Sequence, residues 1–108
     1  MTDWTQRAEK AANFLAETDR QMAELKVKYE RDKLKAKRTW SAIYLRTDGK
    51  NIEERKAQAE VAPEYETVVA GEMTSLLEFE SLRNQRDTAN TIIEFWRSWN
   101  KAKTEGQI

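Results

Sequence analysis

The chain has 108 residues, of which 39% are hydrophobic and 35% are charged, and its 19 basic and 19 acidic residues leave no net charge. It contains no Cys and no His, which excludes disulfides, thiolate nucleophiles, imidazole bases and most zinc sites. One Pro, three Gly and many strong helix formers predict a single all-α domain over residues 1–108. No apolar run approaches about 18 residues and no apolar segment follows Met1, so we expect a cytoplasmic protein without a membrane span or signal peptide.

The first long helix is predicted over residues 4–45, with Thr2 or Asp3 as its cap. Small or apolar side chains recur at alternating spacings of four and three, a pattern typical of a coiled-coil seam. This seam consists of Trp4, Ala8, Ala11, Leu15, Thr18, Met22, Leu25 and Tyr29. Asp32 interrupts the seam, and Ala36 and Ile43 resume it.

A turn and a short helix follow. The sequence Thr47–Gly49 predicts the turn, in which Gly49 can adopt a positive φ. Asn51 followed by Glu54 resembles a capping box and predicts a short helix over residues 52–61. Pro63 is expected either to end this helix or to begin the next one.

The second long helix is predicted over residues 64–103, before a frayed or disordered tail at 104–107. Its predicted apolar stripe consists of Tyr65, Val69, Met73, Leu76, Phe79, Ala89, Ile93 and Trp96. The polar run 83–88 interrupts this stripe, and we expect it to be exposed or to fix the register between helices. Residues 92–103 are apolar on nearly all sides, which predicts dense core packing or a subunit contact.

Two long helices joined through a short one predict a long, coiled-coil-like helical hairpin. Such a hairpin has a thin core, so we expect homo-oligomerisation to complete it. The residues expected in the core or in subunit contacts are Trp4, Leu15, Met22, Leu25, Tyr29, Leu76, Phe79, Ile93, Trp96 and Trp99.

Charge is distributed unevenly along the chain. Residues 20–50 hold ten bases against four acids, a net charge of +6, and residues 51–82 hold eight acids against two bases, a net charge of −6. The bases between residues 26 and 46 are Lys26, Lys28, Arg31, Lys33, Lys35, Lys37, Arg38 and Arg46. They indicate either a solvated helix face paired with nearby acids or a surface that binds a phosphate backbone.

Helix geometry divides these bases into two stripes. Lys28, Arg31, Lys35 and Arg38 share one face that points away from the seam, whereas Lys26, Lys33 and Lys37 flank the seam. The interleaved aromatic residues Tyr29, Trp40 and Tyr44 are either core residues or surfaces on which single-stranded bases stack.

No motif indicates catalysis. The chain has no metal-binding HExxH, ExxH or DxD arrangement, no Gly-rich phosphate loop and no nucleophile elbow. Glu60, Glu64, Glu66 and Glu72 are candidates for a divalent cation site, although a solvated or base-paired acidic face explains them more simply. We therefore expect neither an enzyme nor a cofactor.

The chain resembles the UvsY-type recombination mediators of bacteriophages. The likeness runs from Leu34-Lys35-Ala36-Lys37 through Trp40, Tyr44, the Asp48-Gly49 turn and Glu54-Arg55 to Ala89, Ile93, Arg97 and Glu105-Gly106. It implies a non-enzymatic protein that binds single-stranded DNA as a ring-like oligomer. It also implies that the protein helps to load a recombinase in place of a single-strand-binding protein, with Lys35 and Lys37 as the matching DNA-contacting pair.

Two alternatives of other classes remain open. The −6 block, with Glu60, Glu64, Glu66, Glu72, Glu78 and Glu80, suits an inhibitor or adaptor that mimics a phosphate backbone and docks on a nucleic-acid-processing enzyme. A purely structural helical oligomer also fits the composition.

Overall fold

The computed structural model describes residues 3–106 of the chain, and among these residues it contains three α-helices and no strand. Helix α1 is Trp4–Arg46, α2 is Ile52–Val61 and α3 is Pro63–Thr104. The predicted all-α hairpin, with two long helices joined by a short one, is confirmed. No helix in this range is both long enough and apolar enough to cross a lipid bilayer.

The helix ends follow the capping residues in the sequence. Asp3 Oδ1 accepts a hydrogen bond of 2.9 Å from the Thr5 N–H and so caps α1, while the other candidate, Thr2, lies outside the described residues. Asn51 Oδ1 accepts from the Glu54 N–H at 2.9 Å and caps α2. Ala62 is extended, so Pro63 begins α3, where its missing N–H costs no intrahelical hydrogen bond.

The turn between α1 and α2 needs its glycine for a reason that differs from the prediction. Gly106, at φ 74°, is the glycine with a positive φ among residues 3–106, so Gly49 is not in the left-handed region. A Cβ on Gly49 would instead lie 2.5 Å from Cγ of Arg55. Arg55 holds the turn, because its Nε donates to the Thr47 carbonyl at 3.1 Å and its guanidinium lies 5.5 Å from the Tyr44 ring centroid.

Contacts divide the described chain into two compact units, residues 3–23 with 80–106 and Glu24–Phe79. In the first unit the fully buried side chains are Ala8, Ala11, Leu82 and Ala89. Arg86, from the polar run 83–88, donates to the Leu15 carbonyl at 2.8 Å and to Thr18 Oγ1 at 2.7 Å. This run therefore supplies an interhelical network, one of the two roles expected for it.

In the second unit, Glu24–Phe79, the buried residues are Ala36, Ile43, Ala59 and Ser75. The Ser75 hydroxyl donates a hydrogen bond to Oδ2 of Asp32. Asp32 therefore belongs to the α1 seam, with a polar partner on α3, and does not break it. The apolar stripe predicted for α3 is wrong at Met73, which is 53% exposed, because the seam passes through Ser75 instead.

All ten residues expected in the core or in subunit contacts are half-buried, and none is fully buried. In the first unit Trp96 Nε1 donates to Thr5 Oγ1 at 3.2 Å, and the Trp4 and Phe95 ring centroids lie 4.3 Å apart. In the second unit Tyr29 stacks on Phe79 with centroids 6.1 Å apart. The fully buried positions are mainly alanines, so the large side chains lie along the sides of a narrow seam.

Candidate nucleic-acid interface

All eight bases between residues 26 and 46 are exposed and lie on α1 within the Glu24–Phe79 unit. Two of them face acids on α3. Lys28 Nζ lies 3.0 Å from Glu78 Oε2, and Arg46 Nη2 lies 2.5 Å from Glu64 Oε1. The hydrogen bond that Arg46 donates to Glu64, followed by the negative charge of Glu64, raises the pKa of the Arg46 guanidinium, which therefore stays protonated. These two cations are engaged within the molecule.

The other six bases have no acidic partner. Lys26, Arg31, Lys33, Lys35, Lys37 and Arg38 form no ion pair with any residue in the described range 3–106. Lys33 lies over the Tyr29 ring, with Nζ 5.9 Å from the ring centroid. The acids of residues 51–82 therefore neutralise two bases of this segment and leave a concentration of positive charge on one helix.

Part of this charge lies on the outer surface of α1. Arg31, Lys35 and Arg38 line a shallow depression of about 410 Å³ that is formed by α1 alone, together with Leu34, Thr39 and Ala42. From Arg31 to Arg38 the helix rises by about 10 Å. Three cations in a row along this distance form a surface that a phosphate backbone can follow.

The rest of the charge lies at the junction of α1 and α3. Lys33, Lys37 and Trp40 line a groove of about 470 Å³, whose other lining residues are Glu30, Leu34, Ala36, Tyr65 and Glu72. The structure therefore brings Lys33 and Lys37 together beside α3 and places Lys35 on the outer surface. Ala36, between Lys35 and Lys37, is 4% exposed and faces the seam, so the two lysines project to different sides of α1.

The interleaved aromatic residues are engaged to different degrees. Tyr29 is half-buried and stacks on Phe79, so it serves packing. Trp40 stacks on Tyr44, with centroids 5.4 Å apart and an interplanar angle of 12°. Tyr44 therefore covers one face of the Trp40 indole. Trp40 also lines the groove, whereas Tyr44 does not.

The four glutamates considered as a cation site do not form one. Within residues 3–106, no group of three or more His, Cys, Asp or Glu side chains is placed to hold a metal ion. Glu64 is ion-paired with Arg46, and Glu72 lines the groove. Tyr65 and Glu72 are groove residues that sequence reasoning did not assign to the basic surface, because only the pairing of α3 with α1 brings them there.

No known protein family, curated protein or solved structure matches this chain. The geometry of α1 and its groove is therefore the main indication of function. That geometry can bind polyanions through surface cations, and it can receive a planar group beside Trp40. It defines the molecule as an all-α hairpin with a cationic face on its first helix.

Proposed function

We propose that this protein is a non-enzymatic accessory protein that binds single-stranded DNA through α1 in homologous recombination of the phage type. One observation carries the proposal: six exposed cations within thirteen residues of α1 have no ion-pair partner among residues 3–106. Placing like charges so close together on one helix is unfavourable unless a counter-charge is supplied, and a phosphate backbone supplies it.

The role in recombination is supported by the resemblance to UvsY-type mediators. That resemblance lies mostly in the order and spacing of its motifs, and it begins at Leu34-Lys35-Ala36-Lys37. Ala36 in this run is buried where α1 faces α3, and Lys35 and Lys37 project from α1 on either side of it. A strand that contacts both lysines must wrap around α1 or pass between subunits. The partners implied are a strand-exchange recombinase and a single-strand-binding protein.

Self-association is part of the proposal. Ten large core candidates are only half-buried, and large apolar side chains such as Leu77, at 68% exposure, lie on the surface. A second copy of the chain that covered such residues would add hydrophobic stabilisation, at about 25 cal/mol for each Å² buried. A homo-oligomer would also present several α1 surfaces to one DNA strand, which raises affinity through multivalency.

The phosphate-mimic alternative receives less support. Glu78 and Glu64, two of the acids on which it depends, are paired with Lys28 and Arg46 inside the molecule. A mimic needs free negative charge on a continuous surface, and these pairs remove part of it. Acids of residues 51–82 instead pair with Lys28 and Arg46, which lie near the two ends of the basic segment 26–46.

The experiment is an anisotropy titration of labelled single-stranded oligonucleotide at low salt. Lys35→Ala/Lys37→Ala should weaken binding roughly tenfold, since two charge-assisted phosphate contacts are lost. Lys10→Ala/Lys56→Ala removes the same charge outside the basic segment and should leave affinity within about twofold. No binding by the unmodified protein, or equal effects of the two double substitutions, would sink the proposal.

A further inference from the structure

The groove beside Trp40 is open to solvent and has the volume of a ligand site. Its volume of about 470 Å³ lies within the roughly 300–1,000 Å³ that is usual for small-molecule sites. Along α1 it extends from Glu30 to Trp40, ten residues or about 15 Å of helix. Ala36 lines it at the seam with the smallest of side chains, which leaves room between the helices.

Glu72 is the unusual residue in this groove. It lies on α3 in line with Tyr65, Val68, Ser75 and Phe79, at the three-and-four spacing of residues that face α1. Its side chain is half-buried, yet within residues 3–106 it accepts no hydrogen bond and forms no ion pair. Both carboxylate oxygens are accessible to solvent and can only accept hydrogen bonds, so a ligand that displaces their water must bring hydrogen-bond donors.

Trp40 and two lysines complete the chemistry. One face of the indole is stacked on Tyr44, and the groove borders the same side chain. Lys33 and Lys37 are four residues apart, so they share one side of α1 and lie about 6 Å from each other at their Cβ atoms. Aromatic surface, paired cations and an acceptor are the three elements that recognise a nucleotide whose base carries an amino group.

We infer that the groove binds one nucleobase of the DNA strand, with the base against Trp40 and its exocyclic amino group donating to Glu72. Lys33 and Lys37, about one and two turns along α1 from Glu30, then hold the adjoining phosphate. This inference rests on the proposed function and adds base discrimination to it. Cytosine presents an N4 amino donor where thymine presents an O4 acceptor and a methyl group, so the groove favours cytosine over thymine.

The test compares oligo(dC) with oligo(dT) of equal length in the anisotropy titration. The unmodified protein should bind oligo(dC) about tenfold more tightly, the discrimination typical of one well-placed base contact. Glu72→Met keeps the length of the side chain and removes both acceptors, so the preference should fall below about twofold. Because methionine suits a half-buried seam position, the variant should keep its helical circular dichroism spectrum and melting temperature.

Glu66→Met is the matched control, because Glu66 is an exposed glutamate on the same helix and outside the groove. It removes the same charge and should retain the full preference for oligo(dC). Equal binding of the two oligonucleotides by the unmodified protein overturns the inference and leaves the proposed function standing. A preference that persists in Glu72→Met also overturns the inference. If neither oligonucleotide binds, the result contradicts the proposed function itself, and the preference for cytosine is lost with it.

Discussion

The hydrogen bond between Ser75 and Asp32 gives the most sharply defined stability prediction. Ser75 is 2% exposed, and its hydroxyl donates to a half-buried carboxylate across the α1–α3 seam. Hydrogen bonds to charged groups contribute about 1.5–3 kcal/mol, and partial access of water to Asp32 favours the lower end. Ser75→Ala should therefore cost roughly 1.5 kcal/mol and lower the melting temperature by about 6–12 °C, at about 4–8 °C for each kcal/mol in a domain of this size.

The assay is a double-mutant cycle by denaturant unfolding, followed by circular dichroism at one fixed protein concentration. Ser75→Ala, Asp32→Ala and the double variant should give a coupling energy of about 1.5 kcal/mol, because the second substitution removes a group that has already lost its partner. Thr74→Ala is the control, since Thr74 is exposed and bonds only to its own helix, at Ala70. Free energies that add within about 0.3–0.5 kcal/mol would refute the interaction.

Three further predictions concern the turn, a glycine inside α3 and the end of α3. Gly49→Ala should destabilise the protein by about 1–3 kcal/mol in the same unfolding assay, because the new Cβ would lie 2.5 Å from Cγ of Arg55. Gly71→Ala should instead stabilise the protein by about 0.5–1 kcal/mol, because a Cβ at Gly71 meets nothing within 4 Å and alanine favours the helix more than glycine does. Trp96→Ala combined with Trp99→Ala should lower the oligomeric state or unfold the chain, as measured by light scattering and thermal melting, since truncating packed aromatic side chains costs about 3–5 kcal/mol.

The predictions for Gly49→Ala and for the double tryptophan variant have clear contrary outcomes. A Gly49→Ala variant as stable as the unmodified protein would show that Arg55 does not require a glycine beside it. An unchanged mass and melting curve for the double tryptophan variant would show that these side chains support neither the fold nor self-association. Leu45→Ala, at a residue that is 78% exposed, provides the baseline and should change stability by no more than about 0.5 kcal/mol.

The sequence predicted α1 better than α3, for a physical reason. Apart from Asp32, the α1 seam alternates at three and four residues with small or apolar side chains, so most of its inward face could be predicted. The α3 seam includes Glu72, Ser75 and Arg86, and a search for apolar residues passes over such positions and selects Met73 instead. Polar seam residues are recognisable only when their partners are known, and those partners lie far away along the chain.

The candidate site was predictable to a similar extent. The charge pattern located the basic segment, and helix geometry divided it into two stripes. Which bases are free was not predictable, because the partners of Lys28 and Arg46 lie 50 and 18 residues further along. The groove was likewise invisible in the sequence, since Glu72 contributes to it from α3 and Trp40 from α1.

The most direct test of single-stranded DNA binding through α1 is the dependence of affinity on salt. If the six unpaired cations each neutralise one phosphate, the logarithm of the binding constant should fall with the logarithm of salt concentration at a slope of about −4.2, about −0.7 for each contact on a single strand. Removing Arg31, Lys35 and Arg38 together should reduce the steepness by about two units. A slope near zero, or one that this triple substitution leaves unchanged, would contradict the assignment of α1 as the DNA-binding surface.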